Sequence, residues 1–333
     1  MIRISNCNIT LKYIYIMNKI SDIDSLVFEG GGVKGLAYIE FIRVLNKKYP
    51  FFLENIQQYA GSSIGAIFSA LLAIDTPIDK IEYLLIEMLA LSGREQKKTF
   101  CCIPKGCLPI SLVYNFFYKF GLLENKNIQN QIRKWFTSKN NKDIYFKDLS
   151  KRLVITAVNL NTHKIVFFSN ELTPNVPLYK AVAASMCIPY LFEPILYDFN
   201  PDIENKNHLL IDGGAMIEFP IKVFDDKDPY DGIHSLIPNN NVLGIRLDDP
   251  LDIRFMNSSN NAKITNIGEF IIQYNYTMSF NCKFNIRDDE RTCSIITKEY
   301  DINELGINDT ILSELFHAGK LAAEKYISEV VEK

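Results

Sequence analysis

Three short glycine motifs hold the residues of this chain best suited to covalent chemistry: Gly61-Ser62-Ser63-Ile64-Gly65, Gly30-Gly31-Gly32-Val33-Lys34-Gly35 and Asp212-Gly213-Gly214. In the first, Ser63 is the centre of a G-x-S-x-G pattern between the short strand signal Tyr59-Ala60 and an apolar helical run, Ala66 to Ile74. A serine on so tight a strand-to-helix turn has its Oγ lifted above the sheet, with the positive end of the next helix aimed at it. The flanking Gly61 and Gly65 suit a turn with no room for side chains. The chemistry expected is nucleophilic attack on a carbonyl carbon. A plain glycine-rich turn would also carry this pattern.

The Gly30–Gly35 loop follows an apolar strand signal, Ser25 to Phe28. Consecutive glycines let several backbone N–H groups point into one small volume, as an oxyanion hole requires. Gly30, Gly31, Gly32 and Gly35 are the candidate residues. The spacing also fits a G-x-G-x-x-G dinucleotide loop, so a nucleotide-binding or non-catalytic α/β module that holds phosphate there is the alternative. That reading wants an acidic residue about 20 positions on, at the end of the next strand. Glu54 is near that distance but has no evident strand end, and the next strand end carries the serine motif. A Walker phosphate loop does not fit, because Lys34 precedes Gly35 instead of following it. The third motif closes the apolar run Leu209-Leu210-Ile211. An aspartate there, followed by Gly213 and Gly214, can approach another strand's end closely, although Asp-Gly is also the commonest turn dipeptide.

The elements that must position these motifs alternate along the chain. Further strand signals are Leu153 to Val158, Lys164 to Phe168 and Val242 to Leu247. Helical stretches are expected over Leu36 to Leu45, Pro177 to Met186, Ile267 to Phe284 and Ile311 to Val331. Such alternation predicts an α/β domain with helices on both faces of a sheet. Residues 1–20 read as an N-terminal extension with Met17 as a second candidate start, and 21–333 as one catalytic domain with its motif-bearing core over about 26–220. The 333 residues carry 36 basic and 39 acidic side chains, a formal charge of −3, which argues against nucleic acid as a partner. Apolar residues at 47% exclude a disordered chain. Seven cysteines, without paired zinc-site spacing, read as reduced thiols and imply a reducing, cytoplasmic setting. No signal peptide and no uncharged apolar run of about 18 residues is present, so contact with a membrane is expected to be peripheral.

Taken together and in this order, the motifs resemble the patatin-like phospholipases over roughly Leu26 to Pro220. Ile155 to Thr162 is similar to a strand-and-turn segment of that family, and Ala184-Ser185, Pro189, Phe192 and Pro194 match its A-S-x-x-x-P-x-x-F-x-P block. Glu29 stands where an Asp is more usual, and Gly214 where many members have Ala. The resemblance implies a three-layer α/β/α fold around a mostly parallel or mixed sheet. It implies a serine–aspartate dyad, with Ser63 as nucleophile and Asp212 taking its proton, and a phospholipase A type of lipid acyl hydrolysis without metal or cofactor. The partner expected is membrane phospholipid or another acyl lipid at a surface, with an activating protein known for some members.

Four histidines occur, His163, His208, His234 and His317; His317 falls mid-helix, and His234, in a loop after Asp212, has an order that would suit a Ser–Asp–His triad. A solvated loop histidine is the plainer reading of it. The aromatic-rich stretch Leu108 to Leu123 fits either an ordinary core helix, with Leu112, Phe116 and Phe120 inward, or a segment that meets lipid.

Overall fold

A computed structural model describes residues 20–101, 110–138, 140–198, 208–225, 238–248, 289–298 and 307–331. In chain order they form β1 (Ser25–Phe28), α1 (Ala37–Lys48), α2 (Phe52–Asn55), β2 (Gln58–Gly61), α3 (Ile64–Ala73), α4 (Ile78–Cys101), α5 (Ile110–Tyr118), β3 (Gly121–Leu123) and α6 (Lys126–Trp135). There follow β4 (Arg152–Asn159), β5 (Lys164–Ser169), α7 (Leu178–Ser185), β6 (Tyr190–Phe192), β7 (Ile195–Leu196), β8 (Leu209–Asp212), β9 (Val242–Asp248), β10 (Thr292–Ile296) and α8 (Asp309–Val331).

Eight strands make one mixed sheet in the order β10-β9-β1-β2-β4-β8-β7, with β5 as a hairpin partner of β4. The run from β10 to β4 is parallel, whereas β8 and β7 are antiparallel additions. β1 and β2 are apolar and buried along nearly their whole length, as strands covered on both faces must be. Their side chains alternate between two cores. Leu26, Phe28, Tyr59, Leu153 and Ile155 pack with α1, α3 and α7, while Val27, Ala60, Val154 and Val242 pack under Phe219, Ile221 and Phe224. The ten residues of α3 are all buried, which explains why its sequence is apolar on every side. Helices therefore flank the mixed sheet, in keeping with the α/β/α class expected. Among the described residues, no helix is long and apolar enough to cross a membrane.

One register detail decides where chemistry can occur. β4 gives one edge to β5 over Val154 to Asn159. Its other edge is shared: β2 pairs with Arg152 to Ile155, and β8 pairs with Ala157 to Asn159. β2 runs along β4 and stops at Gly61 opposite Ile155; β8 runs the other way and stops at Asp212 opposite Ala157. The two strand ends therefore meet nearly head-on beside β4, which brings the serine turn and the Asp-Gly-Gly turn together.

Several boundaries differ from expectation. The helix after the glycine loop begins at Ala37, preceded by a 3-10 turn over Gly32–Leu36. Gly31 and Gly32 have φ of 152° and 56°, so no α-helix can start within them. Pro177 is extended and stands just before α7, capping it from outside. The helix expected over Ile267 to Phe284 and His234 lie outside the described residues.

The aromatic stretch is not a core helix. α5 exposes Tyr114 and Phe117, and Phe117 and Tyr118 are 67% and 72% accessible. Phe120 lies beyond the helix end with φ of 61° and is exposed as well. Phe116 and its neighbour Asn115 are half-buried, with the Phe116 ring stacked on Tyr190 at 6.3 Å. Of the aromatic spacing that suggests a buried face, only Phe116 meets a partner among the described residues, and Tyr114, Phe117, Tyr118 and Phe120 stay exposed.

Candidate active site

Ser63 is reached from β2 through a turn that only glycines permit. A Cβ on Gly65 would strike the backbone carbonyls of β1, with the Glu29 oxygen 2.6 Å away and that of Phe28 closer still. Gly61 in turn packs directly onto Gly65. Gly65→Ala is therefore expected to destabilise the fold by at least about 3 kcal/mol, since neither backbone can retreat without breaking the β1–β2 pairing. Chemical denaturation measures it; a loss below about 1 kcal/mol would show that the turn has slack. Ser63 itself has φ of 52° and ψ of −122°, a conformation that costs a non-glycine residue on the order of 1–3 kcal/mol. The Ser63 N–H donates to Ser185 Oγ at 2.9 Å, which pins the strained turn to α7. Sequence reading places Ser185 in a family-like block but assigns it no task.

Ser63 Oγ donates to Asp212 Oδ2 at 2.7 Å, and both residues are buried. The other carboxylate oxygen, Oδ1, accepts the Gly214 N–H at 2.7 Å. The Asp212 N–H donates to the Cys187 carbonyl at 2.9 Å, which ties the end of β8 to the chain after α7. Gly213 presses so closely on Thr156 of β4 that a Cβ has no space. Burial pushes the Asp212 carboxyl up to about 7; nearby Glu218 adds to this, and the hydrogen bonds from Ser63 and Gly214 oppose it.

The glycine loop splits into parts with different tasks. The Gly30 N–H is already spent, donating to the Glu218 carbonyl at 2.9 Å. Gly31 and Gly32 reach their positive φ values without strain, and their amides donate to no protein acceptor among the described residues. Gly35, grouped with them from sequence, instead lies against Ile64, whose Cγ1 is 2.5 Å from where a Cβ would stand. It serves the packing of the 3-10 turn on α3 and does not line the cavity. Glu29, standing where an Asp is usual, accepts the Leu247 N–H at 2.6 Å and so braces β1 against β9.

Ser63, Asp212 and Gly30 to Gly32 open into a cavity of about 720 Å³. Its wall is mainly apolar, with Val158 and Ile211 buried, Ile188 and Leu209 half-buried, and Leu160 and Met216 exposed together with Phe120 and Tyr190. His163, expected simply in a turn, is in that turn with φ of 56° and also lines the cavity. No hydrogen bond joins it to Ser63 or Asp212 among the described residues. His208 pairs through Nδ1 with Asn159 Nδ2 at 3.0 Å, at the far end of β8. His317 is exposed on α8. Glu54, the acidic residue a dinucleotide loop would need, is exposed on α2 before β2 begins, at the opposite end of the parallel β1–β2 pair from Gly30. Among the cysteines, Cys187 and Cys293 are free thiols.

Residues 26–225 match the family model for patatin-like phospholipases. The chain belongs to the patatin-like phospholipase family. This patatin-like chain is 28% identical over 209 residues to an uncharacterized protein of Acanthamoeba polyphaga mimivirus, a match spanning 62% of the chain and 63% of that protein. It is 24% identical over 221 residues to a probable lipid hydrolase of Invertebrate iridescent virus 6, covering 63% of the chain and 70% of that protein. The crystal structure of VipD from Legionella pneumophila superimposes with a TM-score of 0.52 at 13% identity, over 92% of this chain and 67% of that one. That likeness is one of fold. The patatin-like chain thus spans under two thirds of the mimivirus relative's length.

Proposed function

We propose that this protein is a lipid acyl hydrolase of the phospholipase A type, with residues 21–333 acting as one catalytic domain. The observation that carries the reading is the hydrogen bond from Ser63 Oγ to Asp212 Oδ2, 2.7 Å long, at the wall of a largely apolar cavity. A carboxylate with raised proton affinity is a stronger proton acceptor than an ordinary aspartate, so it can serve as general base without a histidine. Family membership and the viral lipid hydrolase relative support the same class of reaction.

In this reading Ser63 Oγ attacks the ester carbonyl carbon while its proton passes to Asp212 Oδ2. The oxygen that becomes negative is held by the amides of Gly31 and Gly32, next to the amino end of α3. Collapse of the tetrahedral intermediate breaks the bond to the alcohol, which leaves with the proton from Asp212. Water then attacks the acyl-serine, gives its proton to Asp212, and releases the fatty acid as the serine recovers its hydrogen. Gly30 holds the loop in place through Glu218, and Gly35 fits it to α3. The apolar wall takes the acyl chain, and the exposed rim of Phe120, Tyr190, Leu160 and Met216 faces the lipid from which that chain is drawn.

Lipid panels read by mass spectrometry, wild type against Ser63→Ala, test the assignment. Loss of fatty acid from glycerolipids with wild type alone is expected. A thermal shift on adding a dinucleotide, with no ester cleavage, would instead favour the phosphate-binding alternative. The aromatic apron has its own test. Phe117→Asp and Tyr118→Asp are expected to lower co-flotation with phosphatidylcholine vesicles by about tenfold each, because each places a charge where a ring would enter the interface. Cleavage of a short soluble ester is expected to persist. Undiminished flotation would assign α5 to contacts other than lipid.

A further inference from the structure

We propose that Glu218 is the second working carboxylate of this site, a positioning residue whose negative charge beside Asp212 adds to burial in raising the pH above which Asp212 can take the Ser63 proton. The inference rests on the hydrolase reading above. Glu218 follows the Asp-Gly-Gly turn by only four residues, and nothing in its sequence neighbourhood singles it out. The fold does. Its carbonyl holds the Gly30 N–H, and its side chain, buried, turns back into the cavity that Ser63 and Asp212 line. Glu218 Cγ lies 3.3 Å from the point where a Cβ on Gly30 would stand, and Ser63 Cβ is 3.3 Å from that same point. At Gly214 the equivalent point is 3.1 Å from Asp212 Oδ1 and 3.9 Å from Glu218 Cγ. The Glu218 side chain therefore lies close to both Gly30 and Gly214, between the glycine loop and the Asp-Gly-Gly turn and on the side of Gly30 that Ser63 also approaches.

An apolar or amide side chain of this size would bridge those turns as well, without the cost of burying an acid. The charge is what needs a reason. Two carboxylates in one poorly hydrated cavity raise each other's proton affinity, and their titrations become linked. Burial contributes most to the raised affinity of Asp212, and Glu218 adds to it in the same direction. Other ionisable groups on elements packed around Asp212 include Glu29 at the end of β1, Lys34 in the 3-10 turn, Tyr38 on α1, Tyr179 and Lys180 on α7, Cys187 after it, Tyr190 on β6, Glu193 after β6, and His163 and His208 near the ends of β4, β5 and β8. Burial keeps the Cys187 thiol and the Tyr38 hydroxyl protonated. Among the described residues, Glu218 is the one other carboxylate that lines the cavity with Asp212.

The test measures the pH dependence of kcat/KM on a short-chain fluorogenic ester for wild type, Glu218→Gln and Glu218→Asp. Carbon-13 NMR titration of the Asp212 carboxyl is run on the same proteins. Glu218→Gln is expected to move both the acid limb and the Asp212 titration down by about half to one pH unit, while Glu218→Asp leaves them near wild type. A side chain that merely fills space would lower the rate without moving the limb. Linkage is reciprocal, so Asp212→Asn should lower the Glu218 titration by the same amount, which needs no turnover and decides the matter if Glu218→Gln does not fold. Unmoved titrations, or equal displacement by Gln and Asp, would overturn the role of the charge. A wild type with no Ser63-dependent cleavage but coupled carboxyls would overturn the hydrolase reading instead.

Discussion

Ser63→Ala is expected to abolish lipid and ester hydrolysis, with a fall in kcat of at least about 10⁴-fold, because among the described residues Ser63 Oγ is the hydroxyl that donates to Asp212 Oδ2. Covalent labelling by a fluorophosphonate should vanish with it. The substitution removes the donor to Asp212 Oδ2 but leaves the Ser185 anchor of the turn, which uses the backbone N–H. The variant should therefore fold, and near-UV circular dichroism at about pH 6 is the control. Without the serine hydrogen bond, which lowers the proton affinity of Asp212, that carboxyl should titrate still higher than in wild type. Retained turnover in a folded Ser63→Ala protein would sink the dyad.

Asp212→Asn should separate activity from stability. Hydrolysis is expected to drop by about 10⁴-fold, since an amide cannot accept the serine proton. Stability moves the other way as pH rises. The folded protein holds the Asp212 proton up to about pH 7, whereas an ordinary aspartate releases it near 3.8. Between these values the folded state binds more protons than the unfolded state, so wild-type stability falls as pH climbs through that window. Above about pH 7 the full cost of the buried charge is present, on the order of 4 kcal/mol. Asparagine carries no such cost. The Tm of Asp212→Asn minus that of wild type should thus increase by several degrees between pH 4 and pH 8. A difference that stays constant across that range would mean that the carboxyl is not held protonated by its surroundings.

Wild-type activity follows from the same titration. With Asp212 as the base, kcat/KM should fall about tenfold per pH unit below its pKa near 7. Activity retained at full strength at pH 5 would point to another base.

Much of this site is legible before any coordinates. A serine between glycines, a glycine run after a strand and an aspartate before two glycines are local patterns, and local backbone sterics tie each to a turn at a strand end. Strand identity was equally local, because fully buried strands need nearly continuous apolar runs such as Leu26-Val27-Phe28 and Leu153 to Val158, the latter interrupted only by the β-branched Thr156. The apron on α5 was not legible, since a row of aromatics reads the same whether or not another element covers it. Nor was the demotion of Gly35, which depends on where Ile64 lies.

By itself, the order of residues determined which groups are present and what turn each occupies, because side-chain chemistry and glycine geometry act over a few positions. Only the tertiary structure decided that residues 63 and 212 touch, since this depends on β2 and β8 sharing one edge of β4 from opposite directions. It alone brought Glu218 and His163, two residues with no motif of their own, to the cavity, and set Ser185 to anchor the Ser63 turn. Burial then raised the proton affinity of Asp212, a property of the space around a carboxylate that no stretch of sequence carries.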